Sequence, residues 1–258
     1  MDTKHVVNYS AGACSWCAAK RVAERHGTEN LILLFADTQI EDEDTYRFLE
    51  ESAANVGGTL VRIADGRDPW QVFRDRRFIG NTRVDLCSRI LKRELLWAWI
   101  RENCNPVDTI VYLGLNWDET NRLDVTQSRE PDWKIEAPLE APPYLDKKQM
   151  LARIKNEGIE IPRLYNYGFP HNNCGGFCVK AGQAQFQLLL RVLPDRYRYH
   201  EEQESEMIDF LGKKNISILR DRSGGTTKPM SLKVFRERLE AQPNLFDCHE
   251  WGGCACGV

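Results

Sequence analysis

The chain of 258 residues is long enough for one large domain, or for one domain with a small appendage. Its 42% hydrophobic and 28% charged residues are typical of a globular protein and exclude intrinsic disorder. The net charge of −3 gives no bulk attraction to nucleic acids, and no apolar run is long enough for a membrane span or a signal core. We therefore expect a cytoplasmic protein that does not enter a membrane.

Strand and helix patterns alternate through the first half of the chain. Predicted strands cover residues 5–9, 31–36, 59–65 and 109–115, and predicted helices cover residues 15–26, 42–55, 69–78 and 85–102. This alternation predicts a central parallel sheet with helices on both faces, which is a three-layer α/β sandwich. Ligands of such sheets bind at the carboxyl ends of the strands, near the point where the strand order reverses.

The second half of the chain has a different pattern. Residues 116–145 lack periodicity and indicate a long functional loop or linker. Helical patterns follow at residues 146–158, 181–193, 199–212 and 231–241. We therefore expect an α/β domain at residues 1–145 and a mostly helical, cysteine-containing region at residues 146–258.

A short turn of small residues joins the first predicted strand to the first predicted helix. It consists of Ser10, Ala11, Gly12, Ala13, Cys14 and Ser15. Small residues let backbone N–H groups approach phosphate oxygens, and the following helix contributes the positive end of its dipole. The turn therefore predicts a phosphate site, and the alternative is a tight turn that only accommodates packing.

Four segments, in their order and spacing, resemble the adenine nucleotide alpha hydrolase-like superfamily. Its members include PAPS reductases, ATP sulfurylase small subunits and sulfur-inserting ATP pyrophosphatases. The turn at residues 10–15 resembles the SGGxDS pyrophosphate loop, and residues 35–51, 86–96 and 113–122 resemble three later family segments. The resemblance covers roughly residues 5–125 and implies a Rossmann-like fold with an adenine nucleotide ligand.

The resemblance also implies roles for single residues. Asp37 and Thr38 would lie near the adenosine, and Lys92 would meet a nucleotide phosphate. Arg122 would hold a phosphate or sulfate, while Glu119 would orient Arg122 or bind Mg²⁺. For the last two residues the alternative is a surface salt bridge of little energetic weight.

The chain departs from the family pattern at several positions. Cys14 replaces the acidic residue of the loop, and Ala13 replaces a lysine often found beside it. Leu95 replaces a proline, and Asn116 replaces an arginine. Substrate handling at these positions is expected to differ.

Nine cysteines are many for a cytosolic protein, and the odd number argues against a disulfide framework. The candidate ligands for Zn²⁺ or a [4Fe–4S] cluster are Cys174, Cys178, Cys254, Cys256 and Cys87. In cluster-bearing APS reductases, which the segment at Cys87 resembles, cysteines at that point bind the cluster. His171 and His249 are further candidates if the metal is zinc, and unligated buried thiols are the alternative.

Three functions remain open at this stage. The first is ATP pyrophosphatase-type adenylylation with Mg²⁺, coupled to sulfur transfer or to modification of a nucleic acid, with a sulfur donor and either a nucleic acid or a small molecule as acceptor. The second is reduction of PAPS or APS to sulfite, in which Cys254 or Cys256 attacks sulfur and a thioredoxin-like protein is the reductant. The third is a nucleotide-binding regulatory module without turnover, since the loop lacks its acid. The catalytic candidates are Cys254, Cys256 and Glu119, and an oligomer is compatible with each function.

Overall fold

The computed structural model describes residues 3–81, 84–213, 216–222, 225–241 and 251–252. Within these residues, a parallel sheet contains β1 (Lys4–Asn8), β2 (Leu31–Asp37), β3 (Thr59–Ala64), β4 (Thr109–Leu113) and β5 (Lys134–Glu136). The strand order is β3-β2-β1-β4-β5, and Val6 of β1 pairs with Ile32 of β2 and with Val111 of β4. The order therefore reverses between β1 and β4.

Helices cover both faces of the sheet. They are α1 (Ala13–His26), α2 (Glu43–Val56), α3 (Pro69–Arg76), α4 (Leu86–Ser88), a π-helical segment (Arg89–Glu94), α5 (Leu95–Asn103) and α6 (Thr120–Arg129). Trp16 of α1 and Phe48 of α2 are buried in the core on one face, while Trp97 and Ile100 of α5 are buried in the core on the other. The Rossmann-like three-layer α/β sandwich is confirmed.

The prediction of a structureless stretch at residues 116–145 was wrong. This stretch contains α6, β5 and a 3₁₀ turn at Pro138–Glu140. β5 is only three residues long, and α6 carries few apolar residues, so neither gives a clear periodic signal. Ile135 of β5 is nevertheless buried, because β5 pairs with the edge of β4.

The later part of the chain is mostly helical. It contains α7 (Lys147–Asn156), α8 (Arg163–Asn166), a 3₁₀ turn (Cys174–Gly176), α9 (Gln183–Val192), α10 (Pro194–Leu211) and α11 (Leu232–Ala241). A short antiparallel pair, β6 (Leu219–Asp221) and β7 (Lys228–Met230), was not predicted. No helix among the described residues is long and apolar enough to cross a bilayer.

The helices of the later region pack into two different hydrophobic cores. Met150 and Ile154 of α7 pack into the same core as α1 and α2, so α7 extends the layer on that face of the sheet. Phe186, Tyr197 and Phe235 form a separate core of α9, α10 and α11. The helix α7 thus brings the later region over the end of β1, where the loop at residues 10–15 lies.

Candidate functional site

The loop at residues 10–15 follows β1 directly. Gly12 is the N-cap of α1, and the Ser15 hydroxyl accepts a hydrogen bond from the Gly12 N–H (3.2 Å) and donates one to the Gly12 carbonyl (3.0 Å). Ala11 is fully buried and has a φ of 53°, a left-handed conformation that alanine seldom adopts. These contacts hold the loop in a tight turn at the carboxyl edge of the sheet, where the first amides of α1 have no acceptor within the helix.

The segment after β4 faces this loop across the point where the strand order reverses. A Cβ atom on Gly114 would lie 2.7 Å from Cα and 2.9 Å from N of Ser15, so only glycine allows this approach. Glu119 accepts a hydrogen bond from the Asn116 N–H (3.0 Å), and its other carboxylate oxygen contacts the Arg122 guanidinium. Glu119 and Arg122 therefore form a partly exposed ion pair, and their roles toward a phosphate or Mg²⁺ stay predictions.

The later region contributes the third wall. The Tyr165 hydroxyl accepts a hydrogen bond from the Ala13 N–H (3.2 Å), and the Asn172 side-chain amide donates to the Ala11 carbonyl (3.1 Å). Asn172 is 1% exposed, and its Oδ1 has no hydrogen-bond partner among the described residues. Lys147, the first residue of α7, lies with its Nζ 3.5 Å from Cys14 Sγ.

These three walls line an open pocket, which we call the phosphate pocket after the ligand that the sequence predicts for the loop. It is lined by Ser10, Gly12, Ala13, Cys14, Gly114, Glu119, Arg122, Lys147, Tyr165, Pro170, His171, Asn172 and Asn173. The sequence located the loop and the Glu119–Arg122 pair, but it did not indicate Lys147, Tyr165 or Asn172.

Asp37 and Thr38 lie at the same edge of the sheet but outside the phosphate pocket. The buried Asp37 carboxylate accepts hydrogen bonds from Arg62 Nε (3.1 Å) and from the Tyr46 hydroxyl (2.8 Å). The Thr38 hydroxyl donates to Glu41 (2.9 Å). Their role beside an adenosine stays a prediction.

Lys92 is also outside the phosphate pocket. Its ammonium lies 3.3 Å from Glu41 Oε1, and the two side chains are 7% and 2% exposed. The Cys174 backbone N–H donates to the other oxygen of Glu41. Lys92 of the π-helical segment thus forms a buried ion pair with Glu41 of the loop after β2, and its predicted contact with phosphate stays a prediction.

Three of the candidate metal ligands share one cavity. Cys87, Cys174 and Cys178 line a narrow space, which we call the cysteine cavity, together with Lys92 and Lys180. Among the described residues, no group of three His, Cys, Asp or Glu side chains is arranged to hold a metal ion. Cys254, Cys256 and His249 lie outside the described residues, whereas His171 lines the phosphate pocket instead of this cavity.

Cys17 and Cys104 are packing residues. Cys17 is fully buried in α1, and burial raises the pKa of its thiol to about 12. Burial also raises the pKa of Cys104, which packs against the core beneath α5. Both thiols therefore stay protonated at neutral pH and are poor nucleophiles.

No protein-family model and no curated protein sequence matches the chain. Among solved structures, it is similar to a PAPS reductase from Candida auris in a phosphate complex, with 17% identity, 66% of this chain and 79% of that chain covered, and a TM-score of 0.44. It is also similar to an NH3-dependent NAD synthetase from Campylobacter jejuni subsp. jejuni NCTC 11168 in complex with nitrate, with 15% identity, 83% and 86% coverage, and a TM-score of 0.43. PAPS reductases are among the enzymes that the sequence resemblance includes, but similarities at this level assign no activity to the chain.

Proposed function

We propose that the phosphate pocket binds the polyphosphate of an adenine nucleotide, and that the protein is an ATP-dependent enzyme that cleaves ATP between its α- and β-phosphates. The observation that carries this proposal is the meeting of the residue 10–15 loop with the Glu119–Arg122 pair at the switch point between β1 and β4. Doubly wound sheets bind their ligands at this point. The pocket therefore has the location and the donors that a polyphosphate requires.

The backbone amides and the side chains of the pocket have separate roles in binding and in charge stabilisation. The first amides of α1 and its dipole bind phosphate oxygens, while Arg122 stabilises the charge that develops as the bond breaks. Glu119 holds Arg122 in place, and it is the carboxylate of the described pocket lining that could also serve a Mg²⁺ ion. Bound Mg²⁺ would neutralise phosphate charge.

The reaction needs an acceptor oxygen. That oxygen attacks the α-phosphorus, the bond to the β-phosphate oxygen breaks with release of pyrophosphate, and the proton on the adjacent acceptor nitrogen passes to solvent. A sulfur nucleophile from a donor then attacks the carbon of the adenylylated acceptor and displaces AMP. A nucleic acid or a small molecule with a carbonyl or amide oxygen has the chemistry of such an acceptor.

The second candidate is the thiol-dependent reduction of PAPS or APS. A specific observation favours it: the carbonyl of Trp251 accepts a hydrogen bond from the Gly182 N–H (2.9 Å), and Gly252 forms a β-bridge with Ala181. The chain therefore reaches the vicinity of Lys180, at the wall of the cysteine cavity, two residues before Cys254. In this reaction a thiolate of Cys254 or Cys256 attacks the sulfonyl sulfur, the nucleotide phosphate leaves, and a dithiol reductant releases sulfite.

Product analysis separates these functions. The protein is incubated with ATP and Mg²⁺ in the presence of candidate acceptors, and in parallel with PAPS or APS and a dithiol. AMP with pyrophosphate supports the first function, and sulfite supports the second. Saturable ATP binding without any product supports a regulatory module, and an absence of nucleotide binding would overturn the proposal as a whole.

We also propose that Cys174 and Cys178, with Cys254 and Cys256 as further ligands and Cys87 as an alternative one, bind Zn²⁺ or a [4Fe–4S] cluster. The three described thiols line one cavity but are not by themselves arranged to hold a metal ion, so the proposal needs a ligand from Cys254 or Cys256. Cys254 follows Gly252 by two residues, which span about 7 Å at most.

Anaerobic purification with iron and zinc analysis and an absorption spectrum tests the metal site. We expect stoichiometric metal that is lost in Cys178→Ser and kept in Cys104→Ser, because Cys104 packs elsewhere. A wild-type protein without metal, or equal metal content in both variants, would contradict this assignment.

A further inference from the structure

One lysine of the phosphate pocket lies beside the loop although it comes from the later region of the chain. Lys147 begins α7, and its Nζ lies 3.5 Å from Cys14 Sγ and 5.6 Å from the centre of the Tyr165 ring. The helix is fixed in place because the Asp146 side chain accepts a hydrogen bond from the Gln149 N–H (2.7 Å). The ammonium is thus held directly over the first turn of α1.

The charges of the pocket leave this ammonium uncompensated. Arg122 is paired with Glu119, so these two charges offset each other. In the described part of the chain, no carboxylate lies within 4 Å of Lys147 Nζ. Desolvation disfavours the ammonium form, but Tyr165, Cys14 and Glu119 outweigh it and raise the Lys147 pKa above its ordinary value. The pocket therefore carries a net positive charge at neutral pH.

Two further contacts concern the groups that this pocket offers to a ligand. The Ala13 N–H, one of the amides that a helix start offers to phosphate, is bound by the Tyr165 hydroxyl beside Lys147. The buried Asn172 Oδ1 lacks a donor among the described residues. The Lys147 ammonium has no anion beside it and Asn172 Oδ1 has no donor. These two groups match a ligand that carries both phosphate and hydroxyl groups.

We propose that Lys147 is a phosphate-binding residue of this pocket, and that its ammonium leaves Cys14 to contact a phosphate of the bound nucleotide. The proposal rests on the proposed function and adds a residue to it. The loop lacks lysine at Ala13, and the first residue of α7 supplies the positive charge at the same place from 134 positions further along the chain. The Ala13 N–H would then donate to the same phosphate instead of to the Tyr165 hydroxyl.

Calorimetric titration tests this with ATP, pyrophosphate and adenosine on the wild type, Lys147→Ala, Lys147→Arg and Lys148→Ala. Lys148 is the matched control, since it is the next residue of the same helix and is also exposed. We expect Lys147→Ala to weaken ATP and pyrophosphate binding by about tenfold or more, the size of a charge-assisted contact, and to leave adenosine binding within about twofold. Lys147→Arg should restore part of the affinity, and Lys148→Ala should behave as the wild type.

The outcomes separate this inference from the function on which it rests. A wild type that binds neither ATP nor pyrophosphate overturns the proposed function. A wild type that binds both, with Lys147→Ala equally tight, overturns only the role of Lys147. A loss that extends equally to adenosine indicates a damaged pocket and also overturns it.

Discussion

Replacing Lys92 with methionine is expected to destabilise the protein more strongly than it weakens nucleotide binding. The substitution removes the ammonium that lies 3.3 Å from Glu41 and leaves the Glu41 carboxylate buried at 2% exposure. Methionine keeps most of the aliphatic volume, so the main change is the loss of the charge. The variant therefore measures the cost of leaving the buried Glu41 carboxylate without its cation.

The expected magnitude follows from burial. Exposed ion pairs contribute about 0–1 kcal/mol, whereas removing one partner of a buried pair costs about 3–5 kcal/mol. The Thr38 hydroxyl and the Cys174 amide still donate to Glu41 in the variant, so we expect a loss at the lower end, about 3 kcal/mol. For a chain of this size, that loss corresponds to a fall in Tm of about 6–12 °C.

Urea unfolding followed by tryptophan fluorescence measures this loss. Arg89→Met is the matched control, because Arg89 lies on the same helical stretch and forms an exposed pair with Glu94 at 3.4 Å. We expect its cost to stay under about 1 kcal/mol. A Lys92→Met variant no less stable than Arg89→Met would refute the buried pair. A larger effect on the free energy of ATP binding than on that of unfolding would support a contact between Lys92 and a nucleotide phosphate.

Two further predictions concern the loop and the second core. Gly114→Ala should weaken ATP binding by tenfold or more and lower Tm, because the added Cβ would lie 2.7 Å from Ser15 Cα; unchanged ATP titrations and melting curves would mean that the two loops do not approach. Burial raises the pKa of Glu204 to about 7 from 4.5, although the amides of Ile218 and Leu232 donate to it. The folded state thus binds this proton more tightly, and its contribution to stability is complete below about pH 4.5 and is lost as the pH rises to about 7. In urea unfolding, the free energy of unfolding of Glu204→Gln minus that of the wild type should therefore increase from pH 5 to pH 8. An equal difference at the two pH values would contradict the raised pKa.

The sequence predicts the parallel sheet well and its short elements poorly. The apolar run 31–36 and the helix stop at Gly57 have strong local causes, since Gly57 adopts a φ of 89° that other residues avoid. The helix at Lys147–Asn156 was also expected, because Asp146 and Gln149 form a capping box. By contrast, β5 has three residues and exists only because β4 offers a free edge, which is a tertiary cause without a local signal.

The residues of the candidate site also differ in how far the sequence predicts them. Ser10–Ser15 is contiguous, so its small residues and its position before a helix were visible in the sequence. Lys147, Tyr165 and Asn172 reach the pocket from residues more than 130 positions later, and nothing near them in the sequence distinguishes them from surface or core residues. For Lys92, the family spacing predicts a contact with phosphate. In the structure its ammonium pairs with the buried Glu41 carboxylate, a tertiary contact that the sequence does not reveal.

Competition calorimetry with ATP tests the central claim most directly. The account predicts saturable binding of ATP in the presence of Mg²⁺ at one site per chain, and displacement of ATP by pyrophosphate, because both would occupy the amides of α1 and the cations of the phosphate pocket. Binding of ATP that pyrophosphate does not displace, or an absence of saturable binding at millimolar ATP, would contradict the assignment of this pocket to nucleotide phosphates.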